Sequence, residues 1–364
     1  MALNPAAESE IEKIRRDLIT VALNGLPDLY DRERGLFCLR AVRGRGGLLR
    51  EGASVRYTLI SLLGIQAARD RGIEIGPDPA DFVSRIAALI RKEETGEAGL
   101  LLWLCAKACP DMLGEVYRRL HPETVWRTCH FSGEFPTMEM SWFLTGLAYA
   151  SRAGGRYRNT GLMDEVFRKV RENYGKEGIF RHQMGGSLMN RLRGAIGNFA
   201  DQVYPIYAFA QYGKEAANME AVEIAVKCAR TICAHQGQLG QWWWHYDMRT
   251  GRVVSRYPVF SVHQDAMAPM ALCAAGRASG ESFETEIKRG LIWITGENEL
   301  GREMIDTRLN LVWRSIYKGK KIRMLEAALS LARLPGSGRA FSSVLRVCEE
   351  CRPYHLGWIL YAFT

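Results

Sequence analysis

Two kinds of helix-forming segment alternate about six times along this chain, and that alternation restricts its fold more than any other feature. Residues 11–23, 82–90, 112–120, 163–170, 217–232, 283–294 and 322–331 place apolar side chains at three- and four-residue spacing against a charged face. Residues 55–68, 98–108, 137–150, 201–212, 264–275 and 354–363 are apolar nearly all round. A helix with one apolar face lies on an outside, whereas a helix apolar on every side is enclosed by its neighbours. The repetition predicts an all-α chain closed into a ring, with outer helices around inner ones. No linker breaks the pattern, so residues 1–364 read as a single domain.

Strand-like material is sparse. Residues 243–247 and 252–256, joined by Met248, Arg249, Thr250 and Gly251, read as a hairpin. Residues 178–183 take the equivalent place one repeat earlier, and both stretches precede an inner helix. In a ring these minor β excursions sit at one mouth and roof a central cavity. The first of them follows Gln236, Gly240 and Trp242, which fit the QxxxGxW core of the QW motif of triterpene cyclases. On that motif and on the helical layout, the chain resembles the α/α-toroid proteins, which include the terpenoid cyclases, the protein prenyltransferases and the six-hairpin glycosidases. The resemblance implies an (α/α)6 toroid of helical hairpins in which Gln236 and Trp242 tie neighbouring hairpins together.

Composition narrows the setting. Hydrophobic residues make up 47% and charged residues 24%, an ordinary globular balance. No run of about 18 uncharged apolar residues is present, so no transmembrane segment is expected. The amphipathic start, with Glu8, Glu10, Glu12, Lys13, Arg15 and Arg16, is unlike a signal peptide. Nine cysteines without an export signal point to reduced thiols and a cytoplasmic location. Cys105 with Cys109 and Cys348 with Cys351 are the close pairs, but neither has the companions that zinc needs, so no metal and no cofactor are expected. The net charge of +9 favours anionic partners. Its basic residues, among them Arg40, Arg43, Arg45, Arg152 and Arg158, are dispersed and carry no nucleic-acid motif, so nucleic acid is not expected.

Polar residues recur where the inner helices begin: Arg56 and Tyr57, Glu94 and Glu97, Glu134 and Glu139, Asp201 and Tyr204, His263 and Asp265, Tyr354 and His355. A ring would bring them to one level around its mouth. Glu139, Asp201, His263 and Asp265 are the candidate catalytic groups, since glycosyl transfer needs a protonated acid and a second carboxylate. Elimination or epimerisation at a uronic acid needs a base beside a cation. Glu139 and Asp201 also fit a plainer reading, as acids favoured in the first turn of a helix. His263 and Asp265 are two apart, so they share a face only if the chain enters its helix extended. His245 and Asp247 alternate around Tyr246 in the same way. Arg56, Tyr57, Trp142, Tyr204, Trp243, Trp244, His245 and Tyr257 are the candidate substrate-binding residues, with Trp242 assigned to packing.

Three functions remain open on this reading. The first is a carbohydrate-active enzyme (glycoside hydrolase, lyase or epimerase) acting on an acidic or phosphate-linked saccharide, as resemblance to the six-hairpin glycosidases implies. The second is a terpenoid-cyclase-like enzyme on an isoprenoid substrate; the chain has no DxDD motif and no adjacent pair of aspartates. The third is a non-catalytic toroid that binds a ligand or partner.

Overall fold

The computed structural model describes residues 9–153, 157–185, 194–319 and 345–364. The expected helix over 322–331 lies outside the described residues. The first three outer–inner pairs are α1 (Glu10–Gly25) with α2 (Val55–Arg69), α3 (Ala80–Ala87) with α4 (Thr95–Ala108), and α5 (Leu113–Leu120) and α6 (Pro122–Ser132) with α7 (Thr137–Ala153). The next three are α8 (Thr160–Arg171) with α9 (Ala200–Ala216), α10 (Met219–Ala234) with α11 (Ala268–Ser279), and α12 (Glu284–Ile294) with α13 (Pro353–Phe363). Each inner helix packs on the next, and α13 returns to pack on α2, which closes the ring. The fold is therefore the (α/α)6 toroid that the alternation predicts.

Local sequence accounts for both layers. On α8, Leu162, Met163, Val166, Phe167 and Val170 form one buried stripe, and the basic residues Arg168, Lys169 and Arg171 fall in the last turn, where they complement the helix dipole. On α4 every residue from Thr95 to Ala106 is buried. Three outer helices begin on side-chain caps: Ser9 and Glu12 form a capping box, and Asn159 and Asn218 accept from the backbone of Leu162 and Ala221. Inner helices cross closely through glycine. A Cβ on Gly64 would lie 2.1 Å from the Gly357 carbonyl oxygen, and one on Gly146 would lie 2.2 Å from that of Gly99.

Strand is more frequent than the sequence suggests. The expected hairpin is present as His245–Asp247 and Val253–Ser255, joined by a third strand, Ile196–Asn198. Arg40–Gly44 pairs with Gly47–Glu51 and with Glu350–Cys351, while Val259–Phe260, Ser315–Lys318 and Leu345–Cys348 make another sheet. These strands are two to five residues long, too short to impose a period on the sequence. Most of them lead into inner helices, so they gather at the end where those helices begin. At the opposite end the bore is plugged. The hydroxyls of Tyr149, Tyr207 and Tyr361 bond one another at 2.7–3.1 Å, under Trp103. No helix among the described residues is long and apolar enough to cross a membrane.

Candidate active site

The first turns of α2, α4, α7 and α9 meet at the mouth. Arg56 donates from Nε to Glu97 Oε1 at 2.7 Å and from Nη1 to Glu139 Oε1 at 3.3 Å. Its guanidinium lies 5.2 Å from the centroid of Trp142. Trp142 follows Glu139 on the same face of α7, and its ring meets Tyr204 edge-on at 4.9 Å. Tyr204 accepts from Trp358 Nε1 at 2.9 Å and follows Asp201 on α9 in the same way. Gly96 makes room for this cluster, since a Cβ there would lie 2.9 Å from Glu139 Cγ. Glu94 turns away to Arg91.

Asp201 caps its helix, the plainer of the two readings given to it. Its Oδ2 accepts the Asn198 backbone N–H at 2.8 Å while Asn198 Oδ1 accepts that of Asp201 at 3.0 Å, a reciprocal cap at the start of α9. The same Oδ2 also meets His182 Nδ1 at 3.0 Å. Burial raises the Asp201 carboxyl to about 6, against the lowering effect of His182. The bond to Asp201 in turn raises the His182 imidazole above its usual range. The side chain of His182 is 47% exposed and that of Asp201 0%, so the histidine stands between the acid and solvent.

The facing wall is cationic and aromatic. The rings of Tyr57 and Tyr354 lie 4.7 Å apart, and Arg352 Nη1 donates to the Tyr57 hydroxyl at 2.6 Å. Arg314 and Arg352 both donate to Glu350 Oε1. The Arg314 guanidinium lies 5.3 Å from Phe260, whose ring is 5.0 Å from His263. Tyr57 follows Arg56 in the first turn of α2, so this wall adjoins the acids.

His263 and Asp265 do not share a face. The chain enters α11 through a π-helical turn, His263–Met267, not through the extended segment on which a common face depends. His263 turns toward Phe199, 4.5 Å between centroids, and burial lowers its imidazole to about 3. Asp265 turns the other way and takes His355 Nε2 on both oxygens at 2.8 and 2.9 Å, with both residues buried. Burial also pushes the Asp265 carboxyl up.

The tryptophan run divides by position. Trp242 is fully buried against Phe199. Trp243 is buried under Arg256, with Tyr257 at its edge and the Tyr257 hydroxyl on Glu299 at 3.0 Å. Trp244 stacks on His245 at 4.3 Å and meets Phe260 edge-on, which joins it to the His263 side. Asp247 is paired with Arg249. Gln236 donates to the carbonyls of Gly240 and Glu286, the latter on α12, so this segment does bind one hairpin to the next.

Arg56, Glu139, Trp142, Asp201 and Tyr204 are thus brought together, with Tyr57 opposite and His263 at the side. Trp243, Tyr257, Asp265 and His245 meet Arg256, Glu299, His355 and Trp244 respectively. Sequence reasoning missed His182, Phe260, Arg314 and Arg352, which lie in loops or short strands without a periodic signal. Among the buried polar atoms without a protein partner are Glu139 Oε2, Trp142 Nε1, Asp201 Oδ1 and His263 Nδ1 at the mouth, with others such as Ser61 Oγ, Trp103 Nε1 and the Tyr246 hydroxyl elsewhere. Those at the mouth have bonding capacity to spare for a ligand's hydroxyls or water. Among the described residues no three His, Cys, Asp or Glu gather as a metal site. A separate surface depression around residues 27–34 and Arg50 holds none of these groups.

No protein-family model matches the sequence, and no curated protein is similar to it in sequence. Solved structures are similar in fold. The unsaturated glucuronyl hydrolase from Bacillus sp. GL1, described as responsible for the degradation of glycosaminoglycan, gives a TM-score of 0.61 at 14% identity, over 97% of this chain and 96% of that one. An unsaturated glucuronyl hydrolase specific for heparin gives 0.60 at 12% identity, over 97% and 95%. A possible GH105 family member from Salmonella enterica gives 0.61 at 10% identity, over 99% and 95%. The chain shares the α/α-toroid fold of these six-hairpin glycosidases along almost its whole length.

Proposed function

We propose that the chain is a carbohydrate-active enzyme, a glycoside hydrolase acting on an anionic saccharide by acid–base chemistry at the mouth of the toroid. The observation that carries this reading is the chamber with four orphaned polar atoms, two of them on carboxyl groups in different environments. Asp201, raised to about 6 by burial, is the proton donor. Glu139, with one oxygen on Arg56 and the other unpartnered, is the carboxylate that takes the proton from water. Trp142 and Tyr204 offer the apolar surface on which a sugar ring packs. Arg314 and Arg352 share the one carboxylate of Glu350, so that wall keeps an excess positive charge toward an acidic group, in keeping with the net charge of +9. The uronyl substrates named for the similar structures belong to that acidic class.

The test is a thermal-shift screen of acidic against neutral oligosaccharides, including unsaturated glucuronyl disaccharides, followed by turnover assays. Ligands of the native state raise its melting temperature. Asp201→Asn and Glu139→Gln should each lower kcat at least 100-fold, in the range of lost acid–base catalysis (~10²–10⁴), while leaving the fold intact. Full activity in both variants removes these roles.

A further inference from the structure

Charge is divided unequally around the mouth. One guanidinium, that of Arg56, is shared by two carboxylates, Glu97 at 2.7 Å and Glu139 at 3.3 Å. Two guanidiniums, those of Arg314 and Arg352, share one: both bond Oε1 of the buried Glu350, at 2.9 and 2.5 Å. Arg40, 3.6 Å from the other Glu350 oxygen, is already paired with Glu51. The buried Nε of Arg314 has no protein partner, so this arginine keeps donor capacity as well as charge. Formal charge is therefore in negative excess beside Trp142 and in positive excess beside Phe260.

Arg314 and Phe260 are fixed to each other. Phe260 pairs with Ser315 across two strands, and the Ser261 N–H donates to the Arg314 carbonyl at 2.9 Å. A short path leads from Phe260 to Asp201. The Phe260 ring meets Trp244 edge-on at 5.5 Å, and the Trp244 carbonyl accepts the Phe199 N–H at 2.9 Å. Asn198, next to Phe199, forms the reciprocal cap with Asp201. Trp244 and Phe260 are both half-buried, with ring surface left on which a sugar can pack.

A proton donor serves the leaving oxygen, so the departing unit lies on the donor's side of the bond. Asp201 gives its proton to the glycosidic oxygen, which leaves with that unit; water, losing a proton to Glu139, adds to the carbon left behind. An anionic group on the attacked ring would meet the excess acid of Glu97 and Glu139. One on the departing ring would meet Arg314. We propose that the charge selected by the chamber is carried by the departing unit, which packs on Trp244 and Phe260 with its anionic group on Arg314. Which unit departs rests on the hydrolase reading above, whereas the polarity is a matter of binding.

Two disaccharides distinguish the arrangements: glucosyl-glucuronic acid, charged on its reducing ring, and glucuronosyl-glucose, charged on the other. Linkage isomers of each are titrated into the full chain by calorimetry and then assayed for turnover. Glucosyl-glucuronic acid should bind more tightly, and Arg314→Gln should weaken it about 10–100-fold, the range of a lost hydrogen bond to a charged group. Arg314→Lys should recover part of that loss, and glucuronosyl-glucose should change little in either variant. Trp244→Ala should weaken both disaccharides but not methyl glucoside, with melting temperatures confirming that each variant is folded. Tighter binding of glucuronosyl-glucose overturns the proposal. So does an equal loss on both disaccharides in Arg314→Gln, or failure of both to bind. Arg314-dependent binding without turnover supports the polarity and removes the hydrolase reading instead.

Discussion

Asp201 has no exposed surface, and its carboxyl sits at about 6 where the ordinary value is 3.8. A folded-state value above the unfolded one means that the native protein prefers the protonated acid. The resulting stability is complete below about 3.8 and is lost as the pH rises through about 6. Asp201→Asn removes the charge and keeps the shape, so it should melt above wild type at pH 8, with a gap that closes as the pH falls below about 6. The shift corresponds to at most about 3 kcal/mol. Thermal denaturation across that range measures it, and an equal or lower melting temperature at pH 8 would contradict the account. His263 works with the opposite sign: its folded value of about 3 lies below 6.5, so its contribution is present above 6.5 and lost as the pH falls. In its proposed role as proton donor, Asp201 loses the donor form above about 6, and His182 lowers that value by its hydrogen bond. His182→Ala should therefore move the alkaline limb of kcat/KM to higher pH; an unmoved limb would separate the histidine from the acid. The positions of Glu139 and Asp201 were legible in the sequence, as acids at the heads of apolar helices, and both do lie in first turns. His182 was not, because it occupies an irregular stretch and meets Asp201 only once the chain between α8 and α9 folds back.

Among the elements, the inner helices come together through absent side chains. A Cβ on Gly146 would stand 2.2 Å from the Gly99 carbonyl oxygen, a backbone atom that cannot swing aside. Gly146→Ala must push α4 and α7 apart, at a cost of about 1–3 kcal/mol or more. Gly46→Ala, where nothing lies within 4 Å, is the control and should change stability by less than about 0.5 kcal/mol. Chemical denaturation of the two variants separates these outcomes, and similar values for both would show that the crossing tolerates a methyl group. Such crossings join residues of similar apolar character on different helices, so the sequence showed that α4 and α7 are enclosed but not where they touch. The helices themselves were legible because each sustains its pattern over several turns. The short strands were not, and neither was α6, which starts at Pro122 directly behind α5 and lay beyond the expected helix over 112–120. The π-turn before α11 escaped for a related reason: it changes the direction of His263 and Asp265 without altering composition.

At the scale of the whole molecule, closure is what turns six helix pairs into a chamber. The alternation of enclosed and one-faced helices made a ring the economical solution, because an open row would leave its last inner helix exposed. The sequence says nothing, however, about which arginines face the acids, since Arg314 and Arg352 lie just outside short strands whose pairing partners are distant along the chain. The closing element is α13, which packs on α2 and buries His355, Leu356, Trp358, Ile359 and Leu360. Its removal would bare the apolar side of α2 and the Trp103 face of the plug. It would also take His355 from Asp265, leaving a buried carboxyl without its partner, and Tyr354 and the Trp358 donor from the chamber. A chain ending at Arg352 should therefore lose its cooperative thermal transition and bind a hydrophobic dye, while retaining much of its helical signal. Point substitutions in α13 should be milder: Trp358→Phe keeps most of the packing and frees only the Tyr204 hydroxyl, at about 0.5–1.5 kcal/mol. Calorimetry and circular dichroism on the two forms measure the contrast. A truncated chain that still melts sharply would mean that the first five pairs are stable as an open arc, and that the chamber's residues are held by their own hairpins and not by the ring.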